Sequence, residues 1–135
     1  RRAVDLQGQD GEPWRLGYWL RIIDEDGALL GDDPIKHTLA MAFLSDAAPS
    51  RAARSPHPDF ANDTSDRFKF QGASLDHSVW FHRPCRADQW HWFDTRSHGL
   101  SGGRGLVTGD VLNLDGTHVA TIAQEVLLRR IRDRV

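Results

Sequence analysis

The sequence predicts an α+β domain in which a curved antiparallel sheet wraps around a single helix. One segment has apolar residues at helical spacing, and about five segments have the alternation or composition of strands. Four of these β segments follow one another near the C-terminus with turn signals between them, which is typical of an antiparallel meander. With 135 residues, the chain is long enough for one domain with a real core and too short for two ordinary ones.

The first half of the chain predicts a lead-in, a strand and a helix. Residues 1–13 are polar and are predicted to be a linker or a disordered lead-in, so that the folded domain spans 14–135. The segment "WRLGYWLRII" at 14–23 alternates as a strand does. Asp33-Pro34 is a typical helix start, because proline is favoured at the first helical position. The predicted helix continues through "IKHTLAMAFLSDAA" and stops before Pro49.

The second half predicts a long loop followed by the meander. Residues 47–66 are rich in Ala, Pro, Ser and Asp and lack periodicity, so a loop is expected there. The four β segments then cover 69–83, 89–98, 104–113 and 117–130.

Composition argues against several functional classes. A net charge of -2 does not favour a nucleic-acid partner. The single cysteine, Cys85, excludes an internal disulfide and fits a reducing compartment, so a cytoplasmic location is expected. No apolar run approaches the ~20 residues of a membrane span.

Two weak patterns do not predict a cofactor or metal site. His82, Cys85 and His91 lack the paired ligand spacing that metal sites show. The glycines of "SGGRG" at 101–105 lack the strand–loop–helix context of a phosphate-binding loop. The sequence therefore predicts no metal and no cofactor.

The stretch "SLDHSVWFHRP" at 74–84 contains the three residue types of a hydrolytic triad, Asp76, His77 and Ser78. A triad needs all three side chains within hydrogen-bond reach of one another. Neighbouring residues in a strand face opposite sides of the sheet, so a continuous strand over 69–83 excludes a local triad. The same alternation puts Ser74 on the face opposite His77.

Two polar residues are predicted on apolar faces. Gln124 lies on the more apolar face of the last strand, with Ala120, Ile122, Val126 and Leu128. A buried amide without a partner costs about 1–3 kcal/mol, so Gln124 needs a hydrogen-bond partner. On the residues alone, a structural glutamine bonded to nearby backbone is the favoured interpretation, and a functional amide is the alternative.

Asp46 is the second such residue. It extends the apolar stripe of the helix, and the stripe is formed by Ile35, Leu39, Ala42 and Phe43. The carboxylate is therefore expected to face the core or a cleft beside the sheet, unless the helix frays at its end and Asp46 reaches water.

Four motifs together resemble the acyl-CoA thioesterase II family, whose members contain two hot-dog domains in one chain. They are "LAMAFLSD" at 39–46, "SLDHSVWFHRP" at 74–84, "SGGRGLVTGDV" at 101–111 and "LDGTHVATIAQE" at 114–125. Their order and spacing agree with the C-terminal hot-dog of that family. The resemblance implies a hot-dog fold that forms half of a double hot-dog, with acyl-CoA as substrate.

The resemblance also implies the site residues. The family holds a water with an acid at the end of the central helix, a hydroxyl and an amide, and these correspond to Asp46, Ser74 and Gln124. Arg51 and Arg54, in the predicted loop, are candidates for contacts with the CoA phosphates. A lone hot-dog leaves a sheet edge exposed, so a second hot-dog domain is expected as a partner, either in the same protein or in a homo-oligomer.

Two alternatives remain open on the sequence. The domain could be a hot-dog half that binds acyl chains or a partner without hydrolysing anything. It could instead be a hydratase acting on CoA thioesters, although the histidine on the helix, His37, is nine residues before Asp46 and on a different face.

Overall fold

A computed structural model describes residues 2–6, 14–25, 27–57 and 70–131 of the chain. Its strands are β1 (Arg2–Leu6), β2 (Arg15–Leu20), β3 (Phe70–Ser74), β4 (Ser78–Phe81), β5 (His91–Ser101), β6 (Arg104–Asn113) and β7 (His118–Arg130). Its helices are α1 (Pro34–Ser45) and α2 (Pro49–Arg54). The strands form one seven-stranded antiparallel sheet in the order β1-β2-β5-β6-β7-β3, and β4 also pairs with β7.

Helix α1 begins where the sequence predicts. The Asp33 side chain caps it by accepting a hydrogen bond from the Ile35 backbone N–H at 2.9 Å, and Pro34 occupies the first turn. The helix ends at Ser45, three residues earlier than predicted. Met41 and Leu44 of α1 belong to the same buried cluster as the inward-facing residues of the sheet.

The predicted orientation of α1 is wrong. Its stripe of large apolar residues faces outward, with Ile35 69%, Leu39 66% and Phe43 75% exposed. The helix buries the adjacent face instead, through His37, Met41, Leu44 and Ser45. Periodicity identifies a stripe but not the surface that covers it, and this stripe has no cover among the described residues.

Strand β7 follows the predicted alternation. Its inward-facing side chains are buried throughout, and they are Ala120, Ile122, Gln124, Val126 and Leu128. Gln124 is therefore an amide within an otherwise apolar row. Because this amide is fully buried, it must be satisfied by hydrogen-bond partners within the protein.

Three predicted segments need correction. Residues 2–6 of the expected linker form β1 and pair with β2, whereas residues 7–13 lie outside the described residues. Part of the expected loop over 47–66 forms α2, because Pro49 starts a short helix whose Ala52 and Ala53 are fully buried. The remainder of that loop from residue 58 is outside the described residues.

The third correction concerns the predicted strand over 69–83, which divides into β3 and β4. Ser74 pairs with Val126, and Ser78 pairs with Ala123. The three residues between Ser74 and Ser78 therefore lie opposite only two residues of β7. This extra residue is a β-bulge, which shifts the alternation of side chains by one.

The predicted α+β architecture, an antiparallel sheet with one central helix, is confirmed. Among the described residues, none of the helices has the length and apolar character required to cross a membrane.

Candidate active site

Asp46 lies at the C-terminal end of α1. It is the C-cap residue that follows Ser45, with φ -76° and ψ -11°, and it is exposed. The preceding residue, Ser45, is fully buried. The end of α1 therefore directs Ser45 into the protein and leaves the Asp46 carboxylate at the surface.

Ser74 and Gln124 meet Asp46 from the sheet. Ser74 is the last residue of β3, and Gln124 lies on β7 with none of its surface exposed. The Gln124 Nε2 donates to Ser74 Oγ at 2.5 Å, and Ser74 Oγ donates to Asp46 Oδ1 at 3.3 Å. The structure thus brings together the three residues that the sequence predicts, from positions 28 and 50 residues apart.

The two contacts differ in strength. A hydroxyl usually meets an oxygen acceptor at about 2.5–3.0 Å, so the 3.3 Å contact between Ser74 and Asp46 is a weak one. Both residues are exposed, whereas Gln124 is buried behind them. The arrangement is a buried amide behind a weakly bonded hydroxyl–carboxylate pair at the surface, which a water molecule can reach.

A further pair of side chains extends this network into the protein. His77 Nδ1 lies 2.8 Å from Gln124 Oε1, and His77 Nε2 lies 2.7 Å from Ser45 Oγ. Ser45 Oγ also lies 2.7 Å from the Ala42 carbonyl, and its one hydrogen can serve either this oxygen or His77 Nε2. A continuous path of hydrogen bonds therefore runs from α1 through His77 and Gln124 to Ser74 and back to Asp46.

The bulge between β3 and β4 explains why the sequence does not predict the position of His77. Ser74 and Val79 pair with Val126 and Ile122, which lie on the same face of β7. In a continuous strand, residues five apart would face opposite sides. The extra residue in the bulge moves His77 to the face of Ser74, contrary to the sequence-based prediction.

The adjacent Asp76, His77 and Ser78 do not act as a triad. Asp76 Oδ1 accepts the Glu125 backbone N–H at 2.7 Å, and this bond anchors the bulge to β7. His77 turns to Ser45 and Gln124 instead. The side chains of Asp76 and His77 therefore have separate partners, although the bulge interrupts the regular alternation that the sequence predicts for this segment.

Arg51 and Arg54 lie on α2, just after the end of α1, and are half-buried. Helix α2 packs against β3, β5, β6 and β7. A Cβ added to Gly72 would lie 3.0 Å from an Arg54 Nη atom, so this guanidinium passes close to β3 two residues before Ser74. The predicted loop arginines are thus helix residues on the side of the sheet that carries the site.

Other candidate groups lie away from this network. No cluster of His, Cys, Asp and Glu within the described ranges has the geometry of a metal site. Cys85 lines a cavity of about 320 Å³ near the N-terminal end of α1, with Pro34, Thr38 and Phe81 among its neighbours. Burial raises the pKa of the Cys85 thiol, so this cysteine is a poor nucleophile near neutral pH.

Comparisons with known proteins give a consistent match. A sequence model of the family described as acyl-CoA thioesterase C-terminal domain matches residues 1–128. The chain is similar to acyl-coenzyme A thioesterase 8 of Mus musculus, with 37% identity over 119 residues that cover 87% of this chain and 34% of the relative. It is also 46% identical to acyl-CoA thioesterase 2 of Haemophilus influenzae over 57 residues, which cover 42% of this chain and 20% of that protein.

Solved structures agree with these matches. The crystal structure of an acyl-CoA thioesterase II from Mycobacterium marinum, TesB2, superposes with a TM-score of 0.80 and 34% sequence identity. The match covers 99% of this chain and 50% of the TesB2 chain. A thioesterase superfamily member from Thermus thermophilus has a TM-score of 0.63 at 13% identity and shares the fold alone. The chain spans about a third of the length of the thioesterase 8 relative and half of the TesB2 chain.

Proposed function

Because this chain belongs to the acyl-CoA thioesterase C-terminal domain family, we propose that it hydrolyses fatty acyl-CoA to a free fatty acid and CoA. The observation that carries the proposal is the contact of Asp46, Ser74 and Gln124 at an open surface. A water held by these three groups attacks the thioester carbonyl.

Each group has a distinct part in holding the water. The Asp46 carboxylate accepts hydrogen bonds only, so it orients the water and takes its proton as general base. Ser74 Oγ supplies a further hydrogen bond to the water, and the buried Gln124, whose Nε2 donates to Ser74 Oγ, orients that hydroxyl. Since Gln124 is buried and already bonded at both ends of its amide, the site needs little reorganisation when the water attacks.

Ser74 is not the nucleophile in this mechanism. An activated serine needs a neighbouring base that receives its proton through a good hydrogen bond, usually within about 2.6–3.2 Å. The Ser74–Asp46 contact is 3.3 Å, and no histidine is bonded to Ser74 in the described part of the chain. Direct attack by water avoids a covalent acyl-enzyme.

A second hot-dog domain completes the substrate groove in this proposal. The outward stripe of α1 exposes three large apolar side chains, and β4 exposes Trp80 and Phe81 at the sheet edge. Exposed apolar surface of this extent marks an interaction site, and a free edge strand invites pairing. That domain comes from the same protein, whose relatives are two to three times longer, or from a second copy.

Arg51 and Arg54 bind the CoA phosphates in this arrangement. They are the basic residues of α2, which follows directly from the end of α1 that carries Asp46. Guanidinium groups bind phosphate through paired hydrogen bonds. The nucleotide end of CoA then lies over α2 and the thioester lies at Asp46.

The test is release of free CoA thiol from acyl-CoAs of graded chain length by the assembled full-length protein. Asp46→Asn and Gln124→Ala should each lower kcat by about 10²–10⁴-fold, the range for loss of a general base or of a preorganised donor. Asp110→Asn is the matched control. Asp110 is a half-exposed carboxylate whose partner is His118, at 3.4 Å, and not a residue of the site.

The outcomes separate the candidate functions. Thiol release that is unchanged in both site variants would refute the assignment of these residues. No thiol release by the wild type, with acyl-CoA still bound, would favour a hot-dog half that binds acyl chains without hydrolysis.

A further inference from the structure

The proposed hydrolysis leaves two residues of the network without a part, His77 and Ser45. They are not exposed surface groups in chance contact. Ser45 is fully buried, and both ring nitrogens of the half-buried His77 have a side-chain partner at 2.7–2.8 Å. Their link to the site is Gln124, whose amide lies between His77 and Ser74.

The two ends of the Gln124 amide are chemically different, so its orientation decides what Ser74 offers to a water. With Nε2 toward Ser74, the amide donates to Ser74 Oγ, and the single hydroxyl hydrogen is free for Asp46. With the amide reversed, Oε1 would accept that hydrogen and Asp46 would lose it. Only the first orientation serves the proposed water site.

His77 fixes that orientation through its own hydrogen. Gln124 Oε1 accepts hydrogen bonds only, so the facing His77 Nδ1 must carry a hydrogen. An Nδ1 without a hydrogen would instead attract the NH₂ group and favour the reversed amide. In the neutral ring with its hydrogen on Nδ1, Nε2 accepts the hydrogen of Ser45 Oγ. The tautomer of His77 and the orientation of Gln124 are therefore a single choice.

We propose that His77 is a positioning residue that locks the Gln124 amide toward Ser74, with Ser45 as the anchor of the ring. The inference rests on the proposed function, since it explains how the amide of that site is oriented. Ser45 precedes Asp46 in the chain, so the same ring also ties the end of α1 to β7. One imidazole thus sets the position of the amide and of the helix end that carries the carboxylate.

The experiment uses two substitutions of similar size in the full-length assembled protein. In His77→Asn the amide nitrogen occupies the place of Nδ1 and still donates to Gln124. In His77→Gln it reaches the place of Nε2 and that donor is lost. We expect His77→Asn to keep kcat within a few-fold of wild type, and His77→Gln to lower it about 10- to 100-fold, as for loss of an orienting partner.

KM should stay within about twofold in both variants, because the lost interaction acts in the transition state. His98→Asn and His98→Gln are the matched controls, since exposed His98 bonds to Thr108 away from the site. A merely structural ring would make His77→Asn and His77→Gln fall alike, in parallel with their melting temperatures, and that result would overturn the proposal.

A readout without activity separates this inference from the proposed function. In the wild-type protein, nitrogen-15 NMR of labelled histidine and glutamine should show a hydrogen on His77 Nδ1. Relative to wild type, the side-chain amide signal of Gln124 should shift in His77→Gln but not in His77→Asn. A His77 Nδ1 without hydrogen, or a Gln124 amide insensitive to both substitutions, would refute the positioning role even in an active enzyme. An inactive wild type with the expected spectra would refute hydrolysis alone.

Discussion

A buried polar cluster lies at each end of α1, and the two clusters differ in whether their carboxylate is buried or exposed to solvent. At the N-terminal end, Asp88 is 1% exposed, and its two oxygens accept from Arg86 and from the Leu30 backbone N–H at 3.0–3.2 Å. His37, 3% exposed, bonds to the Gly31 carbonyl at 2.7 Å. The Leu30–Asp88 bond joins the loop before α1 to the turn after β4, the Arg86–Asp88 bonds lie within that turn, and the His37–Gly31 bond ties α1 to the loop before it.

At the C-terminal end, the cluster begins in the core and finishes in solvent. Ser45 and Gln124 are fully buried, but the path continues through Ser74 to the exposed Asp46 carboxylate. The final contact, at 3.3 Å, is the weakest of the series. A polar cluster whose carboxylate is enclosed by protein donors stabilises a fold, whereas one that presents its carboxylate to water is arranged to bind something else.

The sharpest way to break this comparison is to truncate the carboxylate at each end. Asp88→Ala leaves the Leu30 N–H and Arg86 without their acceptor, and should lower the free energy of unfolding by about 1–3 kcal/mol. Asp46→Ala should change it by less than about 0.5 kcal/mol, as for other exposed substitutions. Urea unfolding measures both values, and thiol release per folded molecule should show the reverse order. Equal destabilisation by the two substitutions would contradict the distinction.

Much of the fold could be predicted from the sequence, because the elements concerned follow from local signals. The capped start of α1 and the alternation of β7 appear in the sequence as they do in the structure. The outward stripe of α1 could not be assigned to the right face, since periodicity does not say which surface covers it. Strand β1 was missed because pairing with β2, rather than its own composition, makes it a strand.

The candidate site also contains residues that the sequence predicts and residues whose position depends on strand register. Asp46, Ser74 and Gln124 could be placed by motif, and the structure brings them into contact. His77 was assigned to the wrong face, because a bulge is created by the register of β3 and β4 on β7 and leaves no mark in the residue pattern. Ser45 gave no signal, since a serine near a helix end is ordinary.

The contribution of Asp88 to the free energy of unfolding should also depend on pH. Burial raises the pKa of Asp88, but the hydrogen bonds from Arg86 and the Leu30 N–H outweigh it and hold the pKa below its usual value. A carboxyl whose folded pKa is below its unfolded pKa contributes stability above the unfolded value, about 3.9, and this is lost as pH falls through the folded pKa. Unfolding free energies measured from pH 6 to pH 2 should therefore fall less steeply in Asp88→Ala than in wild type. A slope equal to that of wild type would show that Asp88 is not stabilised in the folded state.

The smallest expected effect concerns the open end of α1 and sharpens what that end binds. Arg51→Ala should raise KM for acyl-CoA about two- to fivefold, as for loss of a weak, partly exposed ion pair. It should leave KM unchanged for an acyl thioester of N-acetylcysteamine, which lacks the nucleotide and its phosphates. Arg104→Ala is the matched control, because Arg104 is paired with Glu125 at 3.6 Å and its side chain is 55% exposed. If KM rises equally for both thioesters, Arg51 acts on the packing of α2 beneath the site rather than on a phosphate of CoA.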